Sequence, residues 1–109
     1  MEELRLGSRT LQLRRQLLAD GRHVHIGKRA LDILSVLAEA NGEIVTKDEL
    51  LAAVWPGVVV EENALQVHVA ALRKALGAES PRLKTIRGIG YQLYIVRFSP
   101  IGRAPAGVA

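Results

Sequence analysis

The apolar positions in residues 1–26 recur with the two-residue period of a half-buried strand. They are Leu4, Leu6, Leu11, Leu13, Leu17, Val24 and Ile26. Gly7-Ser8 and Asp20-Gly21 interrupt them as turn formers, and Asp-Gly between apolar runs is typical of a tight hairpin turn whose two central residues need positive φ. The pattern predicts three or four short antiparallel strands with one apolar face and one polar face, the latter carrying Arg5 and Arg14.

From Ala30 the spacing becomes helical. Leu31, Leu34, Leu37 and Ala38 fall on one stripe, and Asn41-Gly42 supplies the left-handed residue that commonly ends a helix. A second helix is indicated by Thr46-Lys47-Asp48-Glu49, a capping box in which the Thr46 hydroxyl and the Glu49 carboxylate satisfy backbone donors. Its predicted buried face comprises Leu50, Leu51, Val54 and Trp55, and Pro56-Gly57 ends it.

A third helix is predicted from Glu62 or Asn63 to Leu76, with Gly77 closing it. Its inward stripe consists of Leu65, Val69, Leu72 and Leu76. The other faces carry Asn63, Gln66, Val67, His68, Ala70, Ala71, Arg73 and Lys74. Amides can pair with adenine, Arg with guanine, and Ala can touch a thymine methyl. Because any solvated helix also carries Gln, Arg and Lys, this helix alone leaves a DNA-reading face and an ordinary surface equally open.

The last predicted element is a basic β-hairpin. Residues 82–87 and 91–96 are β-prone, Gly88-Ile89-Gly90 joins them as a tight loop, and Lys84 and Arg87 lie on its approach. A helix with a polar outer face followed by such a hairpin is the winged-helix layout, with the helix in the major groove and the hairpin on the backbone or minor groove.

These elements predict one α+β domain, a winged helix-turn-helix with an N-terminal antiparallel sheet. It spans residues 1–97: the sheet at 1–26, three helices at 30–77 and the wing at 82–96. Residues 98–109, rich in Pro, Gly and Ala, are predicted to be a flexible tail or linker.

Composition limits the possibilities. A chain of 109 residues has room for one domain, and the absence of cysteine excludes disulfides and thiolate metal sites. The net charge of +4 hides a segregation: residues 1–29 carry +4, residues 30–62 carry −6 and residues 63–109 carry +6. A basic C-terminal part beside an acidic middle suggests one face for a polyanion and another that repels it or contacts protein.

Enzyme and cofactor chemistry find no support in the sequence. There is no Ser/His/Asp order with supporting turns, no phosphate-binding glycine loop between strand and helix, and no suitable carboxylate pair. His23 and His25 share one side of a strand but lack a third ligand, so no metal site is expected. No apolar run approaches a membrane span and the N-terminus is acidic, so a cytoplasmic protein without a membrane or small-molecule partner is expected.

Four segments in order then resemble a known family. They are Leu31-Asp32-Ile33-Leu34, residues 48–55, residues 67–77 and residues 84–91. From Leu4 to Val96 the chain resembles the C-terminal effector domain of OmpR/PhoB-type response regulators. Residues 54–63 are most similar to a subgroup in which this domain stands at the N-terminus, ahead of an ATPase or sensor module.

The resemblance implies sequence-specific binding of double-stranded DNA and transcription regulation within two-component, phosphorelay signalling, whose receiver is not among these residues. It places the DNA-facing positions on the eight third-helix residues named above and the wing contacts on Thr85 and Arg87, beside Lys84. Ala70 and Ala71 stand where the family often has Arg, which favours dimeric or tandem occupancy of DNA. The loop at 56–62 corresponds to the family's region of contact with RNA polymerase.

An alternative reading is a protein-interaction module with little DNA affinity. It rests on the two absent arginines, on the acidic middle segment and on Val58-Val59-Val60. Salt-sensitive, specific binding to duplex DNA distinguishes the first reading from this one.

Overall fold

A computed structural model describes residues 3–95 and has the predicted α+β winged-helix architecture. The N-terminal strands are β1 (Glu3–Leu6), β2 (Arg9–Gln12), β3 (Gln16–Ala19) and β4 (Arg22–Val24). The helical part comprises α1 (Lys28–Glu39), a short strand β5 (Val45–Thr46), α2 (Lys47–Val54), α3 (Glu62–Leu76) and a 3₁₀ segment (Gly77–Arg82). The wing consists of β6 (Leu83–Ile86) and β7 (Gly90–Leu93). Val96 of the predicted wing and the predicted tail at 98–109 lie outside the described residues.

The first sheet confirms the alternating pattern. Its four strands pair antiparallel in the order β1-β2-β3-β4, and Leu4, Leu11, Leu17 and Val24 stand in one row across them. The β3–β4 turn has φ of 52° at Asp20 and 80° at the following glycine, as the Asp-Gly signal predicts. The sheet therefore presents a continuous apolar row to the helices.

The prediction that Arg14 lies on the polar face of a strand is wrong. It lies in the turn between β2 and β3 with a φ of 60°. Its backbone N–H donates to Ser35 Oγ at 2.9 Å, and its guanidinium pairs with Glu39 at 2.6 Å. The turn contains no glycine or proline, and only the polar run Arg14-Arg15-Gln16 interrupts the alternation. The turn instead docks the sheet on α1.

The helix boundaries follow the predicted signals closely. In α2 both hydrogen bonds of the capping box form: Glu49 N–H donates to Thr46 Oγ1 at 3.1 Å, and Thr46 N–H donates to Glu49 Oε1 at 2.9 Å. Asn41, with φ of 57°, ends α1, and Gly77, with φ of 56°, ends α3. The first helix begins at Lys28, two residues earlier than predicted, because its first turn carries polar residues outside the apolar stripe. None of the helices within residues 3–95 has the length and apolar character to cross a bilayer.

One core joins both sheets and the three helices. Its fully buried large side chains are Leu6, Leu11, Leu17, Ile33, Leu34, Leu37, Leu50, Leu65, Leu72, Leu76, Leu83 and Leu93. Two members of the predicted α2 face, Leu51 and Trp55, are only partly buried at the edge of this core. Trp55 is the residue that ends α2, so it projects beyond the stripe defined by Leu50 and Val54.

The second sheet contains a strand that the sequence pattern does not predict. Its order is β5-β7-β6, and β5 has only two residues, too few to show a period. The wing turn also differs from the prediction: it comprises residues 87–89, so Gly90 is the first residue of β7 rather than part of the loop. Gly90 pairs with Thr46 on one side and Ile86 on the other, which fixes the wing to the start of α2.

A carboxylate ties the first sheet to the 3₁₀ segment. Glu79 Oε2 accepts from both the backbone N–H and the hydroxyl of Ser8, each at 2.9 Å, and its Oε1 accepts from Arg82 Nε at 2.8 Å. The Arg82 hydrogen bond, followed by those from Ser8, lowers the pKa of Glu79 from 4.5 to about 2. The ionised carboxylate thus stabilises the docked position of the sheet.

Stability should therefore depend on pH through Glu79. A carboxyl group whose pKa is depressed in the folded state stabilises that state above the pKa of the unfolded chain, and this contribution disappears as pH falls through the folded value. We expect the urea midpoint of the wild type to decline between about pH 5 and pH 2. The decline should be smaller in Glu79→Gln and unchanged in Glu43→Gln, whose exposed carboxyl makes none of these contacts. Parallel declines in wild type and Glu79→Gln would contradict this assignment.

Candidate nucleic-acid interface

The outward side of α3 presents the predicted site residues together. Its inward stripe, Leu65, Val69, Leu72 and Leu76, is buried. Spacings of three and four place the polar and small residues on the opposite side of the helix. Six of the predicted residues are exposed: Asn63, Gln66, Val67, Ala70, Ala71 and Lys74. His68 and Arg73 are half-buried on its two flanks.

The wing brings the second group of predicted residues beside α3. Lys84 and Thr85 are exposed on β6, and Arg87 is exposed in the hairpin turn. A groove of about 170 Å³ separates helix and hairpin, and both Gln66 and Arg87 line it. A helix residue and a wing residue that are distant in sequence therefore face one space.

Arg73 connects the helix to the wing. Its Nη1 donates to the backbone oxygen of Leu83 at 2.6 Å, and its Nη2 donates to Thr85 Oγ1 at 2.5 Å. Both ends of the guanidinium are thus occupied by β6. Arg73 is predicted from the sequence as a DNA contact, and in the folded chain its guanidinium binds β6.

His68 belongs to a ring contact on the other flank of α3. Its imidazole lies 5.6 Å from the Trp55 ring at an angle of 51°. The guanidinium of Arg29 lies 5.6 Å from the same Trp55 ring, within the range of a cation–π interaction, and donates to the Val54 backbone oxygen at 2.7 Å. Arg29 was missed at the sequence level because its partner is distant in sequence. The contact orients His68 toward α2 rather than along the outward stripe.

Three cations of this surface have no acidic partner among the described residues. Within residues 3–95, Lys74, Lys84 and Arg87 form no ion pair. Lys47, at the edge of the wing groove, pairs with Glu62 at 2.8 Å, and this hydrogen bond raises the pKa of Lys47. The α3 and wing surface is therefore electropositive.

The acidic middle segment is partly neutralised by the basic N-terminal segment. Glu39 pairs with Arg14, and Asp32 pairs with Lys28 at 3.3 Å. Such exposed pairs contribute little to stability, but they reduce the local negative charge. The charge segregation along the sequence is therefore weaker on the folded surface than in the linear chain.

Metal-binding side chains do not gather in the part of the chain that is described. No group of three or more His, Asp or Glu side chains there could hold a metal ion, and His23 and His25 are both exposed.

Comparison with known proteins identifies the relatives of this fold. Residues 21–93 match the family described as transcriptional regulatory protein, C terminal. The response regulator protein PmrA of Pseudomonas aeruginosa is 36% identical over 91 residues, which cover 82% of this chain and 38% of PmrA. The chain thus spans well under half the length of this relative.

Solved structures agree with the sequence match. The DNA-binding domain of Klebsiella pneumoniae RstA, crystallised with the RstA box, is 30% identical with a TM-score of 0.69, covering 85% of this chain and 97% of that one. The DNA-binding domain of Escherichia coli CadC is 25% identical with a TM-score of 0.72, covering 88% and 94%. This chain belongs to the transcriptional regulatory protein C-terminal family, and the OmpR/PhoB-type resemblance is confirmed.

Proposed function

We propose that this domain binds double-stranded DNA with sequence specificity and regulates transcription. In this proposal α3 lies in the major groove and the β6–β7 hairpin contacts the backbone or the minor groove. The observation that carries it is the shared electropositive surface of α3 and the wing, where Lys74, Lys84 and Arg87 have no acidic partner. The RstA domain, similar over most of its length, was crystallised with its DNA box, which supports the proposal.

The side chains divide by chemistry into two groups. Lys74, Lys84 and Arg87, with the hydroxyl of Thr85, suit phosphate oxygens, which fix position without reading sequence. The exposed amides and small apolar groups of α3 suit base edges in the major groove: Asn63, Gln66, Val67, Ala70 and Ala71. Arg73 supports these contacts by holding the wing beside α3. His68 supports them by packing against Trp55 at the end of α2.

Three cations are few for a tight complex. Each phosphate neutralised contributes roughly 0.9 to the slope of log affinity against log salt, so a single domain has a shallow slope and modest affinity. Dimeric or tandem occupancy of repeated half-sites therefore forms part of the proposal.

Contact with RNA polymerase would use the loop at 56–62, where Val58 is 60% and Val59 fully exposed. The input signal is proposed to come from another domain or protein.

Lys74→Ala tests the proposal with little disturbance of the fold. Lys74 is exposed, so the free energy of unfolding should change by less than about 0.5 kcal/mol. If Lys74 contacts a phosphate, the salt slope should fall by about 0.9, and affinity should fall similarly for specific and random sequences. Fluorescence anisotropy of labelled duplexes over a NaCl series measures both quantities.

Arg5→Ala provides the matched control, since Arg5 is an exposed cation on β1, outside α3 and the wing. Its salt slope should equal that of the wild type. If the wild type binds no duplex even at low salt, the proposal is wrong, and the protein-interaction role through the loop at 56–62 takes its place.

A further inference from the structure

We infer that α3 reads a half-site made mainly of A·T base pairs. This rests on the proposed DNA-binding function and goes beyond it by naming the class of sequence recognised. Some α3 side chains are already bound within the protein, and others are free.

The side chains suited to G·C pairs are occupied. Guanine is read most often by a bidentate Arg, but both terminal nitrogens of Arg73 donate to β6. Cytosine N4 is read by a carboxylate, but the carboxylate of Glu62, at the start of α3, accepts from Lys47 at 2.8 Å. His68, which could donate to guanine, is half-buried against Trp55. Using any of these on DNA would first break a contact inside the protein.

The side chains suited to A·T pairs are free. The amides of Asn63 and Gln66 are exposed and make no hydrogen bond with any part of the chain that is described. An Asn or Gln amide matches the N6 donor and N7 acceptor of adenine. Val67 is 60% exposed, and Ala70 and Ala71 are also exposed, so methyl groups are available for the C5-methyl of thymine.

These groups follow one another along the outward side of the helix, from Gln66 beside the wing groove to Ala71 and Lys74, which line a groove near the start of α1. With a rise of about 1.5 Å per residue, the stretch from Asn63 to Lys74 is roughly 16 Å long, which matches about five base pairs at 3.4 Å each. Amides stand at its N-terminal end, methyl groups in its middle and Lys74 at its C-terminal end. A short A·T run is the sequence that the amide and methyl groups recognise, and Lys74 is left for a phosphate.

Selection of bound duplexes from a random pool with the 109-residue chain tests the inference. We expect each selected half-site to contain a run of about four or five A·T pairs. Replacing the contacted thymine by uracil removes only its major-groove methyl and should weaken binding about fourfold. In Val67→Ala the uracil penalty should shrink at the thymine that Val67 contacts, because the two γ-methyl groups that met this thymine methyl are gone. Gln66→Ala should reduce the preference for adenine at one position by fivefold or more.

Val58→Ala is the matched control. Val58 has the same 60% exposure as Val67 but lies in the loop before α3, so its replacement should leave the uracil penalty unchanged. An A·T preference arising only from the wing in the minor groove would give no uracil penalty, because the methyl lies in the major groove.

The possible results distinguish a failure of this inference from a failure of the proposed DNA-binding function. A selected half-site with two or more specified G·C pairs overturns this inference while leaving the proposed DNA-binding function intact. So does a uracil penalty that is absent, or that is unchanged at every thymine position in Val67→Ala. Binding without sequence preference, or no binding, overturns the proposed function and this inference together.

Discussion

Gly90→Ala is expected to destabilise the domain by about 3 kcal/mol or more, because the new methyl group has no space. A Cβ at this position would lie 2.0 Å from the Val45 backbone oxygen and 2.7 Å from Thr46 Cα. These atoms belong to backbone, which cannot turn away as a side chain can. Strand β5 must therefore move from β7, which also disturbs the hydrogen bond from Lys47 N–H to the Ile89 oxygen at 3.0 Å.

Gly88→Ala is the matched control, two residues away in the same hairpin. Gly88 has a φ of +77°, but nothing lies within 4 Å of its added Cβ. Its replacement should cost only the left-handed strain of roughly 1–2 kcal/mol. Urea denaturation of both variants measures the difference, since a domain of this size is expected to unfold in a two-state manner. A loss in Gly90→Ala no greater than that in Gly88→Ala would contradict the close packing of β5 on β7.

The two glycines illustrate how far the sequence predicts the fold. Turn glycines and asparagines, the capping box and the helical stripes are local signals, and those at Asp20-Gly21, Thr46 and Asn41 are confirmed. Gly90 and β5 depend on two segments that meet only in the folded chain. A glycine needed for close approach looks the same in sequence as a glycine needed for a turn, so Gly90 was assigned to the loop.

In the candidate site, too, local features are predictable from the sequence and tertiary contacts are not. The outward face of α3 follows from its period, so its exposed members were predictable as a set. Their bonding partners were not, because Arg73 meets β6 and Arg29 meets Trp55 through tertiary packing. From the sequence, DNA contacts are predicted at Arg73, Lys74 and Arg87 alike. The structure distinguishes them: of these three, Lys74 and Arg87 are exposed and form no ion pair with any described residue, whereas Arg73 binds β6.

Arg73→Ala should separate positioning from direct contact at this surface. Removing the guanidinium leaves the Leu83 oxygen and the Thr85 hydroxyl without their donor, and charge-assisted hydrogen bonds of this kind contribute about 1.5–3 kcal/mol. We expect the free energy of unfolding to fall by that amount. Affinity for a specific duplex should also fall, because β6 is no longer held beside α3. Denaturation and anisotropy titrations on the same samples measure the two effects.

Arg73→Lys then decides which role dominates. Lysine keeps the charge but has a single ammonium group in place of the planar fork, so it cannot reach both acceptors with the same geometry. If Arg73 positions the wing, Arg73→Lys should keep the wild-type salt slope and still lose stability. If Arg73 is instead a phosphate contact like its neighbour, Arg73→Ala should behave as Lys74→Ala does, with a slope lower by about 0.9 and unchanged stability. Replacement of Arg73 is thus expected to change the unfolding curve, whereas replacement of Lys74 is expected to change the salt dependence of binding.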